Sequence, residues 1–302
     1  MSATSIANAE AMVPQGPRPQ HLTWSRILVY GTLILAAFTV LVPLYVMIVT
    51  SLKPMSEIRL GNILALPDVP TIDAWVAAWT SACTGLTCNG IRVGFWNSAF
   101  ILIPSVVVSI AVGAINGYAL AFWRLPGSGI LFGALLVGAF IPYPVFVYPL
   151  VRIFAWLGIY GTLPGIVLIH TIFGLPVMTI VFRNYYQSLP QELFKAARID
   201  GAGFVRVFVS IMLPMSTPIL IVAVILQVTG IWNDFLLGLI FAGRDNMPMT
   251  VQLNNVVNSS QGERNYNVEM AATLLTALVP LFVYFVSGKW FVRGIAAGAV
   301  KA

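Results

Sequence analysis

The chain has 302 residues, of which 59% are hydrophobic and 9% charged, and its mean hydropathy is +0.89. Soluble globular domains carry about 25% charged residues, so this composition excludes one and places the chain in a membrane. The net charge of +6 does not indicate nucleic acid, because the cations sit at the ends of apolar stretches and form no basic stripe with interleaved aromatics.

Residues 1–24 read as a polar tail. They lack a basic n-region and contain Glu10 and three prolines, so a cleaved signal peptide is not expected and the first apolar stretch stays as an anchor. Residues 25–302 then read as one membrane domain with six apolar stretches, at about 25–51, 96–122, 128–153, 161–184, 207–240 and 269–292. Each is long enough to cross about 30 Å of hydrocarbon as a helix, which satisfies its own backbone. The fifth exceeds one span; it is expected to start obliquely, turn at Pro214 and Pro218, and then cross. The fold class is therefore an all-α integral membrane protein with six transmembrane helices. With the amino terminus in the cytoplasm, only Lys53, Arg59, Arg92, Arg152, Arg244 and Arg264 of the 16 Lys and Arg fall outside. That bias puts both termini inside and makes 52–95 and 241–268 the large outer connections.

The first outer connection holds Cys83 and Cys88 in CTGLTC. In an oxidising exterior this spacing closes a small disulfide loop; the other reading is two free thiols. Zinc is not indicated, since no further Cys or nearby His completes a site. Gly113 and Gly117 with Asn116 between them form a small-residue face, suited to close helix packing or to a pore wall. Two intramembrane ionisable groups stand out. His170 in LIHTIF either lines a pathway or bonds to a neighbouring helix, and Asp234 in WNDF is either functional or lies in water at the outer end of the fifth span. There is no GxxxxGK[ST] phosphate loop, GxSxG elbow or HExxH helix, so this chain carries neither an ATP site of that kind nor the machinery of a membrane hydrolase.

The stretch SLPQELFKAARIDGAG interrupts the apolar sequence between the fourth and fifth stretches. Ser188 is placed as an N-cap, Pro190 in the first turn and Gln191 three residues after the serine, a capping-box pattern. Leu193, Ala196 and Ala197 give a short helix an apolar, small-residue side, Glu192, Lys195 and Arg198 keep the rest soluble, and Gly201 ends it in a left-handed conformation. Such a helix is too short and polar to span; it serves either as a docking surface on the cytoplasmic face or as a linker lying on the headgroups.

The run from Lys195 resembles the EAA loop of importer-type ABC transporter permeases, whose pattern is E-A-A, three residues, G, nine residues, I-x-L-P. Lys195, Ala196, Ala197, Gly201, Ile211, Leu213 and Pro214 hold those places, with Lys195 where the family has glutamate and Glu192 three positions earlier. TSLKP at 50–54, WNSA at 96–99, Gly117–Tyr118–Ala119, WNDF at 232–235 and the ending GIAAGAVKA are similar to the MalG-like carbohydrate branch of that family. The outer CTGLTC loop is also similar to that of permeases for glucose or related hexoses.

The resemblance implies an importer type I permease fold, with 188–214 as the coupling loop. By the same resemblance the chain is one of two membrane subunits of an ATP-driven sugar importer of the bacterial inner membrane, for glucose, mannose or a related hexose. Implied partners are a second permease, a cytoplasmic ATPase dimer that uses ATP and magnesium, and an extracytoplasmic sugar-binding protein; this chain itself binds no cofactor. Coupling to the ATPase would fall to Glu192, Lys195, Ala196, Ala197, Asp200 and Gly201, and contact with the binding protein to Gln261, Gly262 and Glu263. Sugar passage needs hydroxyl partners and aromatic faces, and Tyr143, Tyr148, Trp232 and Asn233 are the candidates. The alternative function is a self-sufficient channel or secondary carrier for a small polar solute.

Overall fold

The computed structural model describes residues 23–85, 87–123, 126–258 and 264–299, with 289–299 described by backbone alone. All regular structure among the described residues is helical. The chain divides into two compact units, 1–47 and 48–302. Helix α1 (Trp24–Ser51) begins in the first and carries no buried residue before Val49. Its threonines show how such a helix suits lipid: Thr32 and Thr39 donate to the carbonyls of Leu28 and Leu35, each at 2.8 Å, so the hydroxyls are satisfied inside the helix.

In the second unit α2 (Met55–Ile58) and α3 (Asp73–Thr80) precede α4 (Arg92–Phe122). The TSLKP lysine is buried here: Lys53 Nζ donates to Asn62 O at 2.9 Å and lies 3.7 Å from Glu57 Oε1. A charge out of water needs such partners, and together they pin the segment that follows α1.

The third apolar stretch is not the continuous span expected over 128–153. It is two 13-residue helices, α5 (Ser128–Phe140) and α6 (Pro144–Trp156), bent by 106°. Pro142 and Pro144 are the physical reason: neither donates a helical hydrogen bond, and Ile141 before the first is extended with ψ 125°. At 1.5 Å per residue each half is about 20 Å long, too short to cross alone.

Helix α7 (Leu163–Ser188) starts where Thr162 Oγ1 accepts the N–H of Gly165 at 3.2 Å. It then runs through Ser188, which corrects the expected capping box. Ser188 Oγ donates back to Tyr185 O at 2.7 Å, closing the long helix, and Pro190 precedes α8 (Gln191–Ile199) with no side-chain cap. Helices α9 (Phe204–Met215, with a π turn at Phe208–Met212) and α10 (Thr217–Trp232) meet at 78°, with the bend at Ser216 between the two prolines expected to turn the fifth stretch. The chain finishes with α11 (Leu236–Phe241), α12 (Met249–Asn258) and α13 (Tyr266–Ala299). Among the described residues four helices, α1, α4, α7 and α13 to Gly288, are continuous, long and apolar enough to cross a membrane, and the candidate spans number up to six if each bent pair is one.

The core is built on α4 against α7. A Cβ on Gly113 would stand 2.5 Å from Cβ of Met178, and one on Gly117 2.7 Å from the backbone nitrogen of Arg183. These glycines therefore serve close packing, and the pore-wall reading does not apply. A second cluster joins α3 and α12 to α10 and α13 through Ala74, Ile91, Trp232, Met249, Ala271 and Ala272.

Candidate functional site

Two places on this frame gather the residues that the sequence singles out. The first is α8 and the turn after it. Phe194 and Ala197 face inward: the Phe194 ring stacks on Phe122 at 4.8 Å and 22° and meets Trp123 edge-on at 5.9 Å. Glu192, Lys195, Ala196, Asp200 and Gly201 are exposed, and Ile199 is 86% exposed. The expected apolar side is therefore divided, because residues 194 and 197 share one face of a 3.6-residue helix while 192, 196 and 199 share the opposite one. Ala197 belongs to the chain's own core, and Ile199, which sequence reasoning passed over, is the apolar residue most open to another surface.

Gly201 has φ +77° and closes α8: its N–H donates to Arg198 O at 3.1 Å, and the N–H of Ala202 to Ala197 O at 2.9 Å. This is the paired bonding of a Schellman end, where the left-handed residue is usually glycine. Arg198 covers the same turn, donating from Nη1 to Ala202 O at 3.0 Å while its guanidinium lies 4.8 Å from the centre of a Trp123 ring. The return to the bilayer is tied to the core by tyrosines. The Tyr118 hydroxyl donates to Phe204 O at 3.3 Å, that of Tyr185 to Met215 O at 2.6 Å, and Ser216 Oγ lies 2.9 Å from the hydroxyl of Tyr186.

The second place is a cavity of about 230 Å³ among the turn before α6, α7, α10, the segment after α10 and the start of α11. Tyr143 and Phe173 flank it, with rings 5.8 Å apart. His170 and Asp234, far apart in sequence, meet in its wall, with Nε2 3.9 Å from Oδ2. Asp234 is held by its surroundings: Oδ2 accepts the Gly238 N–H at 3.0 Å, and its carbonyl accepts the Thr250 hydroxyl at 2.6 Å. Gln227, also in the wall, was not anticipated; the signal for it was a lone amide in the apolar run ILIVAVILQVTGIW.

Of the four expected path residues, only Tyr143 lines this cavity. Tyr148 is 72% exposed elsewhere on α6, and Asn233 is exposed at the end of α10. Trp232 is 2% exposed and packs on Phe95, and its indole N–H donates to Thr276 O at 2.9 Å. Its polar handle is used between helices.

In the segment between α3 and α4, Cys83 and Cys88 are joined by a disulfide. Asn255 on α12 donates to Thr84 O within that loop at 3.1 Å. Gln261, Gly262 and Glu263 lie outside the described residues; after them Arg264 Nε and Nη2 meet the two carboxylate oxygens of Glu269 at 3.1 and 3.2 Å.

The chain is 31% identical to the osmoprotective compounds uptake permease protein GgtD of Synechocystis sp., over 92% of this chain and 93% of that protein. It is 31% identical to the arabinooligosaccharides transport system permease protein AraQ of Halalkalibacterium halodurans, over 88% of this chain and 92% of that one. It is 36% identical to the alpha-glucoside transport system permease protein AglG of Rhizobium meliloti, over 72% of this chain and 58% of that protein. The fold is that of a chain in the crystal structure of a bacterial ABC transporter involved in the import of the acidic polysaccharide alginate, with a TM-score of 0.73 at 18% identity over 91% of this chain and all of that one. Residues 95–297 match the family model described as binding-protein-dependent transport system inner membrane component, and the chain belongs to that family.

Proposed function

We infer that the chain is one of two membrane subunits of an ATP-driven sugar importer, lies in a bacterial inner membrane with both termini in the cytoplasm, and seats Gln191–Gly201 on a cytoplasmic ATPase subunit. The observation that supports this most directly is the division of α8. One face is bonded into the core by Phe194 and Ala197, while the other leaves Glu192, Ala196 and Ile199 open beside Lys195 and Asp200. An open apolar residue ringed by charges, on a short rigid helix, suits a groove on another protein.

A second permease, an ATPase pair that uses ATP and magnesium, and an extracytoplasmic sugar-binding protein complete the assembly. The outer segment 241–268, with Gln261, Gly262 and Glu263, faces the binding protein. Closure of the ATPase pair on ATP draws on α8, and the Phe194–Phe122 stack and the tyrosine bonds to Phe204 and Met215 pass that movement to α4, α7 and α9. The span bundles then exchange inward- and outward-facing states, a two-state element biased by nucleotide. The cargo is a sugar or glycoside, a class that the alpha-glucoside and arabinooligosaccharide permeases among the relatives support; within it the outer CTGLTC loop favours glucose, mannose or a related hexose.

Reconstitution tests this against the self-sufficient carrier. The chain is purified from its native membrane, the subunits that accompany it are identified, and uptake into proteoliposomes is measured with and without ATP. An ATPase that copurifies, and sugar uptake that needs both ATP and the binding protein, are the expected results. Uptake by this chain alone, with no ATPase bound, would defeat the importer reading.

A further inference from the structure

We propose that the seam between α5 and α7 at Arg183 is a binding site for the headgroup of an anionic phospholipid, with the Arg183 guanidinium on the lipid phosphate. The inference goes beyond the importer reading and depends neither on the cargo nor on which side of the membrane is the cytoplasm.

Arg183 is a cation without an anion. Its guanidinium lies 3.9 Å from the centre of the Phe132 ring on α5. Nε is buried with no hydrogen bond, and no carboxylate among the described residues pairs with this side chain. The Thr179 hydroxyl, one turn earlier on the same face of α7, is likewise buried without a partner. A ring face attracts a cation, but it does not bond the five guanidinium N–H groups as an oxyanion does. A half-buried charge costs free energy unless it is paired and bonded, so the seam calls for an anion that the chain does not supply. Thr179 is 0% exposed, which leaves the outer guanidinium nitrogens to meet that anion.

Depth and surroundings identify it. Helix α7 has 26 residues, so it is about 39 Å long and, placed symmetrically, overhangs about 30 Å of hydrocarbon by about 4 to 5 Å at each end. Arg183 lies about 7.5 Å along the axis from the end at Ser188, which sets its Cα about 3 Å inside the hydrocarbon boundary. An arginine side chain reaches the phosphate level from there. Helix α5 has no charged and no buried residue, and Ile130, Ala134 and Val137 form an exposed apolar face along it, so acyl chains run up to the seam.

At the headgroup level the same seam is polar. Ser128 shares the Phe132 face of α5, Gln187 shares the Arg183 face of α7, and neither side chain has a partner among the described residues. They suit the ester and glycerol oxygens beside the phosphate. Arg183 repels the ammonium of a zwitterionic headgroup, so a lipid of net negative charge is preferred.

The test is equilibrium binding of fluorescently labelled phosphatidylglycerol and phosphatidylcholine to the chain, purified in non-ionic detergent with the subunits that accompany it. Wild type is expected to bind phosphatidylglycerol saturably and about tenfold more tightly than phosphatidylcholine, with inorganic phosphate unable to displace it. Arg183→Gln lowers the phosphatidylglycerol affinity about tenfold. Ser128→Asp also lowers it, by setting a carboxylate beside the phosphate, while an acid in the first turn favours the helix itself. Arg206→Gln, which removes an exposed cation of α9, leaves it unchanged. Equal affinity for the two lipids, or an affinity that stays at the wild-type value in Arg183→Gln or Ser128→Asp, overturns the proposal. If Arg183→Gln does not insert, Ser128→Asp decides. Displacement by inorganic phosphate as effective as by unlabelled lipid overturns it in favour of a free anion. Binding that occurs with the chain alone and vanishes when a second permease is present overturns it in favour of a carboxylate of that subunit. None of these outcomes touches the importer reading, which is decided by ATP-driven uptake.

Discussion

Replacing Gly201 by aspartate separates the two things a residue at the end of α8 could do. The backbone there has φ +77°, and nothing lies within 4 Å of the position a Cβ would take. The cost inside the chain is therefore conformational alone, about 1 kcal/mol for an L-residue in this region and less for Asn or Asp than for Ala. At about 1.4 kcal/mol per tenfold, that loosens the closing turn only about fivefold. If strain governs transport, Gly201→Asn and Gly201→Asp perform better than Gly201→Ala. If an ATPase surface presses on this turn, size and charge govern instead, and uptake falls in the order Gly, Ala, Asn, Asp, with the aspartate variant down more than tenfold. The assay is ATP-driven uptake in proteoliposomes, normalised to the amount of chain inserted, together with the ATPase retained on purification. Aspartate and asparagine variants that transport better than the alanine variant, or an aspartate variant within twofold of wild type, would refute contact at this turn.

Two other expectations come from the same geometry. Phe194→Ala removes a half-buried ring and its stack on Phe122, worth about 2 kcal/mol, and should lower uptake per ATP hydrolysed while the ATPase still copurifies; equal loss of binding and transport would count against Phe194 as a transmitting contact. Trp232→Phe leaves the Thr276 carbonyl without its donor, so the detergent-solubilised chain should lose about 1 kcal/mol of stability, read as a lower melting temperature, with its sugar preference unchanged. A shift in preference among glucose, mannose and maltose would return Trp232 to the sugar path.

Length and hydropathy made α1, α4, α7 and α13 legible, because a lipid-facing helix has no other means of satisfying its backbone. Gly201 was legible too, since the demand for a left-handed residue is local. The break between α5 and α6 was not: Pro142 and Pro144 announce a disturbance, but an angle of 106° depends on what packs against each half. Ser188 misled because Ser-x-Pro fits a new helix start as well as an old helix end, and the hydroxyl's choice of Tyr185 O depends on α7 running one turn longer. In α8, period 3.6 already sets Ile199 opposite Phe194. What the sequence lacks is Phe122 and Trp123, the neighbours that make one of those faces the inner one. The cavity was least legible, since His170, Gln227 and Asp234 come from separate segments and only tertiary packing joins them.

The tyrosine bonds at Phe204 and Met215 share a property with consequences for how this chain can change. Their acceptors are main-chain carbonyls, which every residue type possesses. A replacement at position 204 or 215 alters the local surface but leaves an acceptor in the same place, provided the backbone path is kept. If the loop seats on an ATPase as proposed, it can be refitted to a different one, residue by residue, while its mounting on the membrane body stays the same. On that reading, exchanging the energy-supplying subunit would demand compatibility on one small exposed face, with no matching substitutions in the helices behind it.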